Sequence, residues 1–117
     1  MSKTMSPKDL LNFYYEKACA LDVDAAMEVL HPDYHSLTSD ADASRETWRE
    51  PYTELAKLLS RVDREIHLVL EEAPWVNIKQ SFRYEYKDGT VENFISSDYY
   101  RLEDGMLIEH QGVIVQV

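Results

Sequence analysis

The sequence predicts a single α+β domain, with helices from its first half packed on one face of an antiparallel sheet built from its second half. Three observations predict this. Apolar residues recur at helical spacing as far as Leu59, and after Arg64 the period changes to two. Glycine (3) and proline (4) are scarce among 117 residues, which leaves little chain for irregular loops. The last three strands read at roughly a dozen residues each, against a usual length of about five or six, and strands that long twist and curl. A curled sheet closed off by helices is a cone-shaped roll with a hollow interior.

The first helix starts at Ser6, a capping residue, with Pro7 in its first turn and Asp9 in a capping-box-like position. Leu10, Tyr14, Ala18 and Leu21 then share one face, with Leu11 and Tyr15 beside them, and the helix is expected to end near Leu21. Asp22 caps a shorter second helix running through Leu30 and stopped by Pro32. The polar stretch 36–44 reads as a loop. Ser44 caps a third helix with Trp48, Tyr52, Leu55 and Leu59 in one stripe, where Pro51 implies a kink or a start near Glu50. Ile66, Leu68 and Leu70 alternate with His67, Val69 and Glu71 in a first strand. In the second, Val76, Ile78, Gln80, Phe82, Tyr84 and Tyr86 share a face. Lys87-Asp88-Gly89-Thr90 and Glu103-Asp104-Gly105 are hairpin turns separating the last three strands.

The formal charge is -10, from 22 acidic and 12 basic residues. That field repels a phosphate backbone, so nucleic acid and anionic membrane surfaces are not expected partners. Cys19 is the only cysteine, which excludes a disulfide within the chain. The opening MSKTMSPKD lacks the apolar run of a signal peptide, and a cytoplasmic, reducing setting is the default expectation.

The C-terminal stretch SSDYYRLEDGMLIEHQGVIVQV resembles the ending of SnoaL-like proteins, where an Asp-x-aromatic-Arg strand, a Gly turn and an Ile-x-x-His strand close a cone. The N-terminal NFYYEKACALDVDAAMEVL is similar to the first two helices and intervening Asp-x-Asp turn of the same group. The resemblance covers nearly the whole chain and implies the nuclear-transport-factor-2-like (cystatin-like) cone, with one pocket between helix one and the concave sheet. It implies a small hydrophobic or aromatic molecule as partner, an isomerase, cyclase or lyase acting by proton transfer, and a homodimer; no cofactor or metal is expected. A non-catalytic dimeric module binding a ligand or a protein is the competing reading, and fold analogy cannot choose between them.

Asp98 leads the candidate catalytic residues. Phe94, Ser96, Asp98, Tyr100 and Leu102 share a strand face, as do Ile108, His110, Gly112 and Ile114 on the last strand. If both faces point into the cone, Asp98 and His110 form the kind of titratable pair that general acid–base catalysis uses. A buried Asp that merely bonds a tyrosine or an amide is the alternative. Tyr14 is similar in position to the helix-one tyrosine of ketosteroid isomerases, and Asp98 to their protonated aspartate, which together bind an oxyanion; the handling of that aspartate as a neutral donor is a known worked case. The resemblance has departures. Where isomerases carry a basic aspartate, the chain reads Tyr34-His35-Ser36-Leu37-Thr38, with no carboxylate before Asp40. His110-Gln111-Gly112 stands where many SnoaL-like chains have His-Trp-Asp. His31 and His35 have the spacing of a helical metal pair, but Pro32 breaks that helix and no third ligand is evident, so they are read as pocket-mouth residues. Tyr34, Trp48, Tyr52, Phe82, Tyr84, Phe94, Tyr100 and Ile114 complete the expected lining, suited to a flat or polycyclic ligand. Trp75 and Tyr99, on the opposite register, are candidates for a subunit interface.

Overall fold

The computed structural model describes residues 5–38 and 41–117. In chain order these form α1 (Pro7–Cys19), α2 (Val23–Met27), β1 (Leu30–Thr38), β2 (Ala41–Ser44), α3 (Arg45–Leu58), β3 (Leu59–Glu72), β4 (Trp75–Tyr86), β5 (Val91–Glu103) and β6 (Met106–Gln116). The three expected caps are present: Ser6 accepts from the Asp9 amide, Asp22 from Ala25 and Ser44 from Thr47. Each satisfies a backbone donor that the first helical turn leaves unpaired. Helix α3 runs unbroken through Pro51 from Arg45, so the start near Glu50 is not observed.

The strands form one six-stranded sheet in the order β2-β1-β6-β5-β4-β3. Two elements correct the sequence reading. Helix α2 stops at Met27, because the chain from Leu30 joins the sheet beside β6 rather than continuing as helix. That pairing is parallel, so the sheet is mixed and not purely antiparallel. The expected loop over 36–44 is instead the end of β1 followed by β2, paired as a hairpin. Its pattern misled for a physical reason: Ser36 points inward and is buried, whereas Leu37 is exposed, the reverse of the usual alternation. Asp40 lies outside the described residues.

The β4–β5 pairing is uninterrupted, from Trp75 opposite Arg101 to Glu85 opposite Val91. The other long pairings shift register, between Ile66 and Leu68 on β3 and between Arg101 and Leu102 on β5. Such irregularities bend strands and increase twist, which wraps the sheet around the helices. The two-residue turn Asp104–Gly105 has positive φ at both positions, the geometry that matches the twist of the flanking strands.

Leu10, Leu11, Tyr14 and Ala18 of α1 pack with Ala26 and Met27, with Leu30 and Tyr34 of β1, and with Val76, Ile78, Tyr100 and Leu107 of the sheet. Helix α3 contributes no fully buried residue and lies over this layer through Trp48 and Tyr52. Leu107 has no exposed surface at all. Leu107→Ala is therefore expected to cost about 2–5 kcal/mol of unfolding free energy in urea titration, the range for an unrelieved core cavity.

Candidate active site

Strict alternation along β5 turns Ser96, Asp98 and Tyr100 inward, and each is buried. Asp98 stands directly opposite Gly112 on β6, and His110, two residues earlier, stands opposite Tyr100. Across the other edge of β6, His110 is level with Ser36 of β1. These registers bring together groups that are far apart in sequence. Asp98 Oδ1 lies 2.7 Å from His110 Nε2, and Ser36 Oγ lies 2.6 Å from His110 Nδ1. Ser96 Oγ donates to Asp98 Oδ2 at 2.8 Å, and the Gln80 amide approaches the same oxygen at 3.5 Å. Gln80 in turn accepts from Arg64 Nε at 2.7 Å. The Tyr100 ring stacks on the His110 ring, with centroids 4.4 Å apart and planes 21° apart.

This polar chain crosses the concave face of the sheet strand by strand, from Arg64 on β3 to Ser36 on β1. Arg64 also lies over the Tyr15 ring, with its guanidinium 4.7 Å from the centroid, and donates to Asn12 of α1. Among the described residues it meets no carboxylate within ion-pair distance, although the chain carries 22 acidic residues.

Beside Asp98 and His110 is a partly open cavity of about 200 Å³. Of the expected residues, Asp98, His110, Tyr14, Trp48, Tyr52, Phe82, Tyr84, Tyr100 and Ile114 all line it. Trp48 and Tyr52 stack at 4.8 Å with nearly parallel rings, and the Tyr52 hydroxyl is tied to the Ala18 carbonyl of α1 at 2.5 Å. Four expected residues lie elsewhere. His31 is outside the cavity and turns to Asp104, 3.4 Å away. His35 is half-buried beside Ser44 and Thr47 in a shallow cleft on the far side of β1. Tyr34 is packed into the core, and Phe94 lies behind Tyr84 with ring centroids 5.0 Å apart.

The lining also includes Tyr15, Ala18, Cys19, Val62 and Ser96, which the sequence did not single out as lining. Tyr15 was legible as a neighbour of the buried helical stripe; α1 sits deep enough that two successive tyrosines both reach the interior. Its hydroxyl is 2.7 Å from that of Tyr100. Among the described residues the Tyr14 hydroxyl has no hydrogen-bond partner. Burial holds the Tyr14, Tyr15 and Tyr100 phenols well above their ordinary pKa, reinforced by neighbouring tyrosines at Tyr14 and Tyr100 and by the Asp98 charge at Tyr15, so each keeps its proton.

His31, Glu103 and Asp104 place three potential ligand atoms close together. The Asp33 amide donates to His31 Nδ1 at 3.0 Å, which puts the neutral ring's proton on Nε2, where it faces Asp104. With one nitrogen accepting and the other donating, no lone pair remains for an ion, and no metal is assigned.

Sequence comparison gives no match to any family model, and none to a curated protein. Structural comparison defines the class: the chain has the nuclear-transport-factor-2-like fold shared by SnoaL-like and ketosteroid-isomerase-like proteins. It is similar to AclR from Streptomyces galilaeus, described as a candidate hydroxylase, with a TM-score of 0.83 and 16% identity over 93% of this chain and 88% of that one. It is also similar to IdmH from Streptomyces antibioticus, described as a candidate polyketide cyclase, with a TM-score of 0.80 and 16% identity over 94% and 92%. An epoxide hydrolase from M. tuberculosis aligns with a TM-score of 0.80 at 9% identity over 93% and 82%.

Burial raises the Cys19 thiol to about 11, partly offset by the Arg64 charge. Thiolate is the reactive form, so alkylation of Cys19 at pH 8 is expected to be on the order of a hundredfold slower than for an exposed thiol. Its rate should climb about tenfold per pH unit toward pH 11, measured by mass spectrometry of the intact chain.

Proposed function

We propose that this protein binds a small hydrophobic molecule in the cavity and acts on it by general acid–base proton transfer, as an isomerase, cyclase or lyase in a cytoplasmic, reducing setting. The observation that carries this reading is the 2.7 Å contact between Asp98 and His110 at the wall of an aromatic cavity. The contact sets a carboxyl oxygen and an imidazole side by side at the cavity wall, the two kinds of group that general acid–base catalysis uses. Tyr14, still protonated and without a protein partner among the described residues, supplies the donor for negative charge developing on a ligand oxygen. In the proposed cycle the pair takes a proton from a carbon next to a carbonyl, and the electron pair moves onto the oxygen facing Tyr14. The proton then returns at another carbon, or the electron pair closes a ring or expels a leaving group.

The cavity narrows the ligand class. At about 200 Å³ it falls below the roughly 300–1,000 Å³ of sites that enclose drug-sized molecules. A one- or two-ring compound fits that volume, whereas the polycyclic ligand expected from the aromatic lining would project through the open side. Solved neighbours described as a candidate hydroxylase, a candidate cyclase and an epoxide hydrolase support small-molecule chemistry on this fold without selecting a reaction.

The outer face of the sheet supports a homodimer. Leu68, Leu70, Trp75, Ile95, Tyr99, Val113 and Val115 are all exposed on strands β3 to β6. Lone exposed apolar residues are ordinary, but a contiguous set on one sheet face marks an association surface. The double variant Tyr99→Glu with Val113→Glu should convert the dimer to monomers in sedimentation equilibrium while keeping its circular dichroism. A wild-type chain that sediments as a monomer at high micromolar concentration would remove the dimer.

Proton abstraction can be read without the natural substrate. Small cyclic ketones and enones in D₂O should exchange their α-protons faster with the protein than with buffer, followed by proton NMR. Asp98→Asn should reduce that exchange by about 10²–10⁴-fold, the usual worth of a positioned acid or base. Unchanged exchange together with a large fall in melting temperature would assign Asp98 a purely structural part.

A further inference from the structure

Gly112 is the one glycine on a strand that faces another side chain closely. It has ordinary strand geometry, with no positive φ, so backbone freedom does not explain it. Its surroundings do. A Cβ at this position would overlap Asp98 Oδ1 and would lie 2.9 Å from His110 Nε2 and 3.1 Å from Asp98 Cγ. The space that a side chain would fill is the space in which the Asp98–His110 hydrogen bond is made. Glycine within a strand weakens it, through chain entropy and lost packing, and commonly marks a close approach. Here the approaching group is a carboxylate from the strand opposite.

We infer that Gly112 is a positioning residue whose missing side chain is the gap through which Asp98 reaches across to His110, and that the pair so formed has a fixed polarity, with Asp98 accepting and His110 carrying its proton on Nε2. This rests on the reading of the pair as the acid–base unit, which it deepens.

Register supplies the first half of the argument. Asp98 is paired directly with Gly112, and His110 is two residues before Gly112 on the same face. A side chain on residue 112 would stand between the two and press the carboxylate back along β5. With glycine there, Asp98 leans diagonally over the empty position and meets the imidazole at 2.7 Å.

The neighbours supply the second half. Ser96 donates to Asp98 Oδ2, and the Gln80 amide is turned so that its NH₂ faces the same oxygen. Arg64 fixes that orientation: a guanidinium can only donate, so the Gln80 carbonyl must face it. Every side-chain contact to the Asp98 carboxyl therefore comes from a donor, and Oδ1 accepts from His110 Nε2. The other imidazole nitrogen, Nδ1, then has a lone pair and receives the Ser36 hydroxyl. The hydrogen bonds from Ser36 through the imidazole to Asp98 thus all point one way, and a methyl group at residue 112 would occupy the place where the last of them is made.

The experiment is proton and ¹⁵N NMR of the full-length protein labelled at histidine, which needs no ligand. Wild type should show a downfield ring N–H resonance that disappears in His110→Gln and in Asp98→Ala, with ¹⁵N shifts marking Nε2 as protonated. Gly112→Ala should abolish that resonance while the amide spectrum stays dispersed. Retention of the resonance in Gly112→Ala, or protonation at Nδ1 in wild type, would overturn the inference. If Gly112→Ala alone fails to fold, the double variant with Asp98→Ala decides: recovery of folding identifies Asp98 as the group in conflict, and failure of both chains to fold rejects the gap. Loss of the resonance in Gly112→Ala alongside absent ketone exchange in wild type would keep the inference and remove the proposed function.

Discussion

The contact on which the rest of the interior depends is the hydrogen bond between Asp98 and His110. A carboxylate set among aromatic rings is costly to desolvate, and it is tolerated only when its oxygens are met by donors. The sheet meets that demand by giving up one inward position on each of five strands: Arg64 on β3, Gln80 on β4, Ser96 on β5 beside Asp98 itself, His110 on β6 and Ser36 on β1. Each of these slots would otherwise hold an apolar residue. Gln80 shows the trade plainly, since it is completely buried yet lies between Ile78 and Phe82 on the same face. Buried polar networks are stabilising only when complete, so these five strands are linked by chemistry as well as by their backbone ladders.

The helices divide their work along the same line. Helix α1 buries four residues against the sheet and carries both Tyr14 and Tyr15 into the interior, so it belongs to the fixed wall of the cavity. Helix α3 is attached differently. It has no fully buried residue, and its ties to the rest are individual contacts: Tyr52 to the Ala18 carbonyl, Arg45 to the Met27 carbonyl, and an exposed Arg49–Asp24 ion pair. Elements with little buried apolar surface open at lower free-energy cost than core elements. The stacked Trp48 and Tyr52 rings on α3 are thus the less firmly held wall of the cavity, beneath which a ligand would enter under the proposed function.

Much of this was legible in the sequence, and the failures have a common cause. The caps at Ser6, Asp22 and Ser44, the hairpin turns, and the inward faces of β4, β5 and β6 follow from local chemistry and period. The pairing of Asp98 with His110 followed from the two faces alone. What escaped were the two ends of the polar belt, Arg64 and Ser36, and the room made by Gly112. Strand β1 was hidden because its inward residue is Ser36 and its outward residue is Leu37, so the hydrophobic alternation runs backwards. Its parallel partner, β6, is more than seventy residues away, beyond any local signal. Gly112 read as the loss of an aspartate because composition registers a missing side chain only as an absence. The register in three dimensions turns that absence into room for Asp98.

The polarity of the pair also limits the chemistry it can do. In the proposed reaction Asp98 already accepts from Ser96, Gln80 and His110, so little of its acceptor capacity is left for a ligand proton. Such a base removes a proton at a useful rate only when the product anion is stabilised as it forms. In the proposed reaction that task falls to Tyr14 on α1, a cavity phenol held neutral by burial. If the proposed function holds, base and donor would meet a ligand from opposite layers, one from the sheet and one from α1, so only a molecule presenting an acidic hydrogen and an electron-accepting oxygen to both at once would be activated. Under that proposal, conjugated or α-acidic carbonyl compounds have the required arrangement, whereas alcohols and hydrocarbons of equal volume lack the acidic hydrogen and the accepting oxygen.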